Sequence, residues 1–152
     1  MDKIDIKILH ELQNNGRITM TELSQRVGLS KTPCLDRVRR LEKTGVICGY
    51  QAQINPSSLE SGHIAFVQIT LNDTTTQTLD EFNTAVKELP MIQACHMIAG
   101  GFDYLLKVRT NDIESYRKVL GDGIANLPHL QQSSTFVVME TVIDSSTVPV
   151  KK

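Results

Sequence analysis

The chain has 152 residues, a formal net charge of −1, 22% charged and 40% hydrophobic residues, and three cysteines. That length suits one domain or two small ones. The widely separated Cys34, Cys48 and Cys95 exclude a disulfide framework and a CxxC zinc site, and no apolar run approaches the ~20 residues needed to cross a bilayer. The neutral total hides an asymmetry. In residues 1–50 Lys and Arg outnumber acids nine to six, whereas in residues 60–144 acids lead eleven to five. A polyanion needs only a local basic face, so any such face belongs in the first half. Met1 leads into a charged helical pattern rather than a signal peptide, and a cytoplasmic protein is expected.

Residues 2–13 open on a capping acid and place Ile4, Ile8, Leu9 and Leu12 on one helical face. Asn14, Asn15 and Gly16 end that helix. Residues 19–43, TMTELSQRVGLSKTPCLDRVRRLEK, then read as two amphipathic helices joined by a Gly28 turn, which is the grammar of a helix-turn-helix. Thr19 and Glu22 have capping-box spacing, and Met20, Leu23 and Val27 form the apolar face. Ser30 is the expected cap of the next helix and Pro33 lies in its first turn, where a missing N–H costs nothing. Along that helix Leu35, Val38 and Leu41 are expected to be buried, with Pro33, Asp36, Arg40 and Lys43 opposite, flanked by Thr32 and Arg37. An arginine-rich helix alone reads as a solvated face. The capped partner helix and the glycine turn make double-stranded DNA the better reading.

Gly45 and Gly49 mark turns, 50–54 reads as extended, and the Asn55-Pro56-Ser57-Ser58 breaker places a linker at 51–61 between domains 1–50 and 62–152. The period then changes. Residues 63–71 (HIAFVQITL) read as a strand, 78–89 as a helix, and 92–99 and 104–109 as strands around a Gly100-Gly101 turn. Asp112 caps a helix to about 125 with Ile113, Tyr116, Val119, Leu120 and Ile124 inward, and 134–143 is the last expected strand. The order βαββαβ with right-handed crossovers gives an antiparallel ferredoxin-like sheet with both helices on one face, hence an α+β chain. Ile64 and Phe66 oppose Ala65, Val67, Ile69 and Leu71, and Val137 and Met139 oppose Phe136 and Val138; one set packs on the helices and the other calls for self-association, which can also place two reading helices one DNA turn apart.

The segments DKIDIKILHELQNNGRI, ELSQRVGLSKTPCLDRVRRLE, EFNTAVKEL, CHMIAGGFDYLLK, SYRKVLG and TFVVMETV cover nearly the whole chain in one order. In that order the chain resembles the Lrp/AsnC, or feast/famine, transcription regulators. The resemblance implies an N-terminal winged helix-turn-helix and a ferredoxin-like effector-sensing domain. It also implies dimers assembling to octamers or larger, and amino acids as effectors, leucine or another apolar amino acid first, with no other cofactor. Matched residue by residue, the DNA-reading positions are Ser30, Thr32, Pro33, Cys34, Arg37 and Arg40, with Thr32 and Cys34 near base edges and Arg37 and Arg40 on phosphate or guanine. Lys31 stands where the family often has proline, and as an extra cation it can touch phosphate or face water. Arg39 reads as a rim ion-pair residue.

The same resemblance puts the effector between dimers, at Met97, Ile98, Ala99, Gly100, Gly101 and Asp103, with Thr135, Phe136 and Val137 from a neighbouring last strand. Turn N–H groups can hold an α-carboxylate, Asp103 an α-ammonium, and Met97, Phe136 and Val137 an apolar side chain. Without the resemblance, Gly100-Gly101 is an ordinary hairpin turn and Asp103 a turn residue. Gly101 departs from relatives that carry an acid there. Catalysis is not expected, since Cys95 and His96 are adjacent on a strand and point to opposite faces. The alternative to a specific regulator of amino-acid metabolism genes is a nucleoid-organising protein that wraps DNA with weak sequence preference.

Overall fold

Asp2 starts the first helix, α1 (Lys3–Asn14), by a reciprocal capping box. Its Oδ1 accepts from the Ile4 and Asp5 N–H groups at 2.9 Å, and Asp5 Oδ2 accepts from the Asp2 N–H at 3.0 Å. α2 (Met20–Val27) is capped by the Thr19 hydroxyl, which accepts from the Glu22 N–H at 3.1 Å. The expected box closes on this side only, because the Glu22 carboxylate pairs with Arg26 one turn on at 2.7 Å. Gly28 leaves α2 at φ 75°, a conformation that a Cβ disfavours. The computed structural model describes residues 1–150.

α3 (Lys31–Lys43) follows Ser30, whose side chain makes no capping bond. Its buried stripe is Cys34, Val38 and Leu41, with Leu35 only half-buried. At about 100° per residue the observed three fall within about 60° of one another, whereas a set containing residue 35 in place of 34 spreads over about 120°. They pack with Ile8, Leu12, Ile18, Leu23 and Val27 into one core. After α3, Gly45 turns the chain at φ 71° and Tyr50 donates to Glu42 at 2.9 Å; no strand pairs within 44–55. Burial and the neighbouring Glu42 push the Tyr50 hydroxyl up to about 12.

The chain folds as two units, one of Met1–Gln53 together with the segment from Ile143, the other of Ile54–Val142. The segment from Ile143 was expected to continue the sensing domain. It joins the first unit because the Gln13 amide brackets Val148, donating to its carbonyl at 3.1 Å and accepting from its N–H at 2.7 Å. Residues 151 and 152 of the expected 62–152 domain lie outside the described residues.

The second unit runs β1 (His63–Leu71), α4 (Thr76–Lys87), β2 (Ile92–Met97), β3 (Tyr104–Thr110), α5 (Ile113–Asp122) and β4 (Leu130–Val137), with sheet order β2-β3-β1-β4 and antiparallel neighbours. This is the ferredoxin-like arrangement. Ala65, Val67, Ile69 and Leu71 of β1 and Tyr104, Leu106 and Val108 of β3 are buried with Phe82 and Val86 of α4 and Tyr116 of α5. On the opposite side Phe66 lies across from both Lys107 and Phe136, and Gln68 across from Leu105 and Ser134. Phe136 is 53% exposed, while Ile64 on the same side is already buried.

Several boundaries differ from expectation, and β2 ends at Met97 rather than 99. α4 starts at Thr76 because the Thr75 hydroxyl caps it and Asp73 in turn holds Thr75. Ile113, as the first residue of α5, projects outward and is exposed; the helix ends at Asp122 and a 3₁₀ turn follows at Ile124–Asn126. β4 begins four residues early and stops at Val137 rather than 143. Ala65 pairs with Val137, so two residues further on β1 has no more backbone to offer, and the Val138 N–H to Ile64 carbonyl bond is the last rung.

Candidate nucleic-acid interface and effector turn

The first turn of α3 presents Ser30, Lys31, Thr32 and Pro33, with 31 to 33 all exposed. Cys34 does not join them. It is fully buried, burial pushes its thiol up, and a side chain inside the trihelical core cannot approach a base edge. Helical geometry accounts for the difference, since residue 34 begins the stripe that faces α1 and α2.

The two arginines assigned to DNA are engaged inside the unit. Arg37 Nη1 reaches Asp2 at 2.6 Å and Asp5 at 2.8 Å, and Arg40 donates from Nη2 to both Asp5 oxygens at 2.7 Å. Asp5 itself is buried, whereas the Arg40 side chain stays 55% exposed. The Asp5 backbone N–H and then Arg37 hold the Asp2 carboxyl at about 2. For Asp5, burial acts upward but is outweighed by the Asp2 backbone N–H and the two guanidiniums, so its carboxyl also lies below the usual range. Lys31, Arg39 and Lys43 are exposed and make no ion pair among the described residues, which reverses the reading of Arg39 as a rim ion-pair residue. Sequence reasoning missed Asp2 and Asp5 here. The available signal was the spacing of Asp5, Ile8 and Leu12, which puts an acid on the buried stripe of α1.

At the other candidate site, Met97 ends β2 and is exposed with Ala99, Gly100 and Gly101, while Ile98 is half-buried. Asp103 stitches this turn to β1. Its Oδ2 accepts from the Leu71 N–H at 2.8 Å, its N–H donates to the Ile69 carbonyl at 2.8 Å, and its carbonyl accepts from the Ile98 N–H at 2.8 Å. One carboxylate oxygen is therefore committed to backbone. Neither Gly100 nor Gly101 has a positive φ, and a Cβ added at Gly101 would meet nothing within 4 Å, so an acid could stand there without strain.

Thr135, Phe136 and Val137 are not brought to this turn. Thr135 bonds the Tyr116 hydroxyl, Val137 shares its side of the sheet, and Phe136 points to the opposite face. β4 and β2 occupy opposite edges with β1 and β3 between them, a separation of three strand spacings or about 14 Å. A groove of about 470 Å³ beside the turn, lined by Asn83, Lys87, Cys95, Met97 and Tyr104, was not anticipated from the sequence. Among the described residues no group of His, Cys, Asp or Glu could hold a metal, and no helix is long and apolar enough to cross a membrane.

Two family models match the chain: winged helix-turn-helix DNA-binding over residues 1–47, and the Lrp/AsnC ligand binding domain over residues 64–148. The leucine-responsive regulatory protein of Escherichia coli strain K12 is 51% identical over 151 residues, covering 99% of this chain and 92% of that protein. The proline dehydrogenase transcriptional activator of Rhizobium radiobacter is 53% identical over 142 residues, covering 93% and 91%. A transcriptional regulator from Neisseria meningitidis, solved as an L-Met complex, superposes with TM-score 0.92 at 32% identity, covering 98% of this chain and 96% of that one. An AsnC family regulator from Agrobacterium tumefaciens gives 0.94 at 31% identity, covering 98% and 97%.

Proposed function

The chain belongs to the Lrp/AsnC family of amino-acid-responsive DNA-binding transcriptional regulators, which are not enzymes, and from that premise we propose how its two candidate sites divide the work. The α3 helix reads duplex DNA, with Ser30, Lys31, Thr32 and Pro33 at base edges and the nearest backbone, Arg39 and Lys43 on phosphates, and Arg37 and Arg40 held in place by α1. The effector is an apolar amino acid, leucine first. It binds at the turn Met97, Ile98, Ala99, Gly100, Gly101 and Asp103, with Thr135, Phe136 and Val137 supplied by a neighbouring copy.

The observation that carries this reading is the placement of the two effector half-sets on opposite edges of one sheet. A pocket using both cannot be made by one chain and can be made where two copies meet. Phe66, Leu105 and Phe136 on the free face supply apolar surface for pairing into a homodimer, and dimers assemble further to an octamer or larger. Binding between dimers then biases assembly and the spacing of the reading helices, and DNA and effector affect each other's affinity reciprocally. Calorimetric titration of the protein against the twenty amino acids, with light scattering before and after, tests it. Binding of an apolar amino acid with a change in assembled mass is expected. Binding by none, or binding to a protein that stays monomeric, would sink the reading.

A further inference from the structure

Asp5 is the most enclosed charged group in the DNA-binding unit, and its partners are on the helix proposed to read DNA. Asp2 and Asp5 face Arg37 and Arg40, two negative charges against two positive ones. The cluster therefore presents no net charge to a polyanion, although its arginines belong to α3. Each released counterion adds about 0.9 to the salt slope of duplex binding, so cations neutralised within the protein contribute little to sequence-independent attraction. Their geometry, by contrast, is fixed. Arg40 donates one nitrogen to both Asp5 oxygens while more than half of its side chain remains in solvent, and Arg37 is held between two carboxylates.

We propose that Asp5 is a specificity-determining positioning residue, which withholds the Arg37 and Arg40 charges from non-specific phosphate attraction and aims their exposed N–H groups for one docking register. The inference rests on the reading that α3 docks on DNA. A purely architectural brace predicts something else, namely that weakening the cluster lowers affinity for every duplex alike. A charge-withholding brace predicts opposite effects on the two classes of DNA. With the Asp5 carboxylate neutralised, Arg40 loses its counter-charge and Arg37 keeps only Asp2, so random duplex binds more tightly, while the register-dependent contacts lose their alignment.

Asp5→Asn keeps an oxygen that can accept from the Asp2 N–H, so the capping box survives the loss of charge. Binding of the full-length variant is measured across a salt series on two probes. One is a random-sequence duplex, the other the duplex that the wild-type protein enriches most from a random pool. The expected result is a gain of about three- to tenfold on random duplex at low salt, a salt slope steeper by about one, and a specificity ratio at least about tenfold lower. An unchanged slope with equal losses on both probes overturns the proposal. If Asp5→Asn does not fold, Asp2→Asn decides, because Asn is as good a cap and only the Arg37 pair is loosened. It should steepen the slope by up to one and lower the ratio less, and an unchanged slope again overturns the proposal. Lys31→Ala with Arg39→Ala separates the two levels. Loss on both probes there, with no change of ratio in Asp5→Asn, rejects the role of Asp5 alone, whereas no loss on either probe rejects docking by α3 and the inference with it.

Discussion

The α3 helix and the β2–β3 turn differ in how much of each is finished within one chain. α3 is complete: it has a buried stripe, a glycine turn behind it, and arginines already fixed by α1 carboxylates. The turn is half of something. Asp103 ties it to β1 through two bonds, to the Leu71 N–H and the Ile69 carbonyl, and closes it with a third to the Ile98 N–H, yet the residues expected to close over it lie across the sheet. On the proposed function, each protomer carries a finished reading helix, whereas response to an effector needs a second copy. Each can then be broken without the other.

The largest expected effect comes from the free sheet face. Phe136→Asp places a carboxylate opposite Phe66, where association would have to bury it without a partner. The expected outcome is collapse to monomer by light scattering and loss of amino-acid binding, with the helical circular dichroism of α1 to α3 retained. A variant that keeps its assembled mass would put the interface elsewhere and remove the basis of the contrast.

Next in size is Asp103. Truncation to Ala abolishes the effector's influence on DNA binding and leaves the buried end of β1 with an unpaired Leu71 N–H, at a cost of about 1–3 kcal/mol. DNA affinity without effector should change less than about threefold, since the reading helix is intact. Asp103→Asn sharpens the point, because an amide oxygen can still accept from Leu71. If Asn restores stability and not the response, read as effector-dependent change in DNA affinity, the carboxylate charge is used on the ligand. If it restores both, Asp103 is only a stitch.

How far the sequence anticipated all this follows the range of the interactions. The three helices of the first unit and the strand His63–Leu71 were legible because their periodicity and caps are local. The start of β4 was not legible because Gln131, Gln132 and Ser133 are polar and read as loop, and its end is set by where β1 runs out. The outer face of α3 was legible, but the partners of its arginines were not, since Asp5 lies 32 residues from Arg37 and 35 from Arg40. The same reason hid the Gln13 bracket on Val148, 135 residues away. At the β2–β3 turn, spacing could suggest an acid beside two glycines. It could not show that one of the acid's oxygens already serves the Leu71 N–H.

The smallest expected effect tests whether the α1–α3 cluster is charged and intact in the folded unit. The Asp2 carboxyl is held at about 2 against an ordinary 3.8, first by the Asp5 backbone N–H and then by Arg37, and Asp5 is lowered as well. A folded value below the unfolded one means that the unfolded chain takes up protons first as pH falls. Stability from these groups is therefore complete above about pH 4 and is lost on going down through about pH 2. Two carboxylates at helix starts of the second unit, Asp73 behind the Thr75 cap of α4 and Asp112 capping α5, are also lowered by hydrogen bonds, so acid sensitivity of the whole chain would not single out the cluster. A difference does. Asp2→Asn keeps the cap and removes the titration, so its denaturation midpoint should lie below that of wild type by a constant gap above about pH 4, and the gap should close between about pH 4 and 2. Thermal midpoints followed by circular dichroism from pH 2 to 6 measure it. A gap that stays constant over the whole range would mean that the Asp2 carboxylate gains nothing from its pairing with Arg37 and the α1 N–H groups, and that α3 is held to α1 by packing alone.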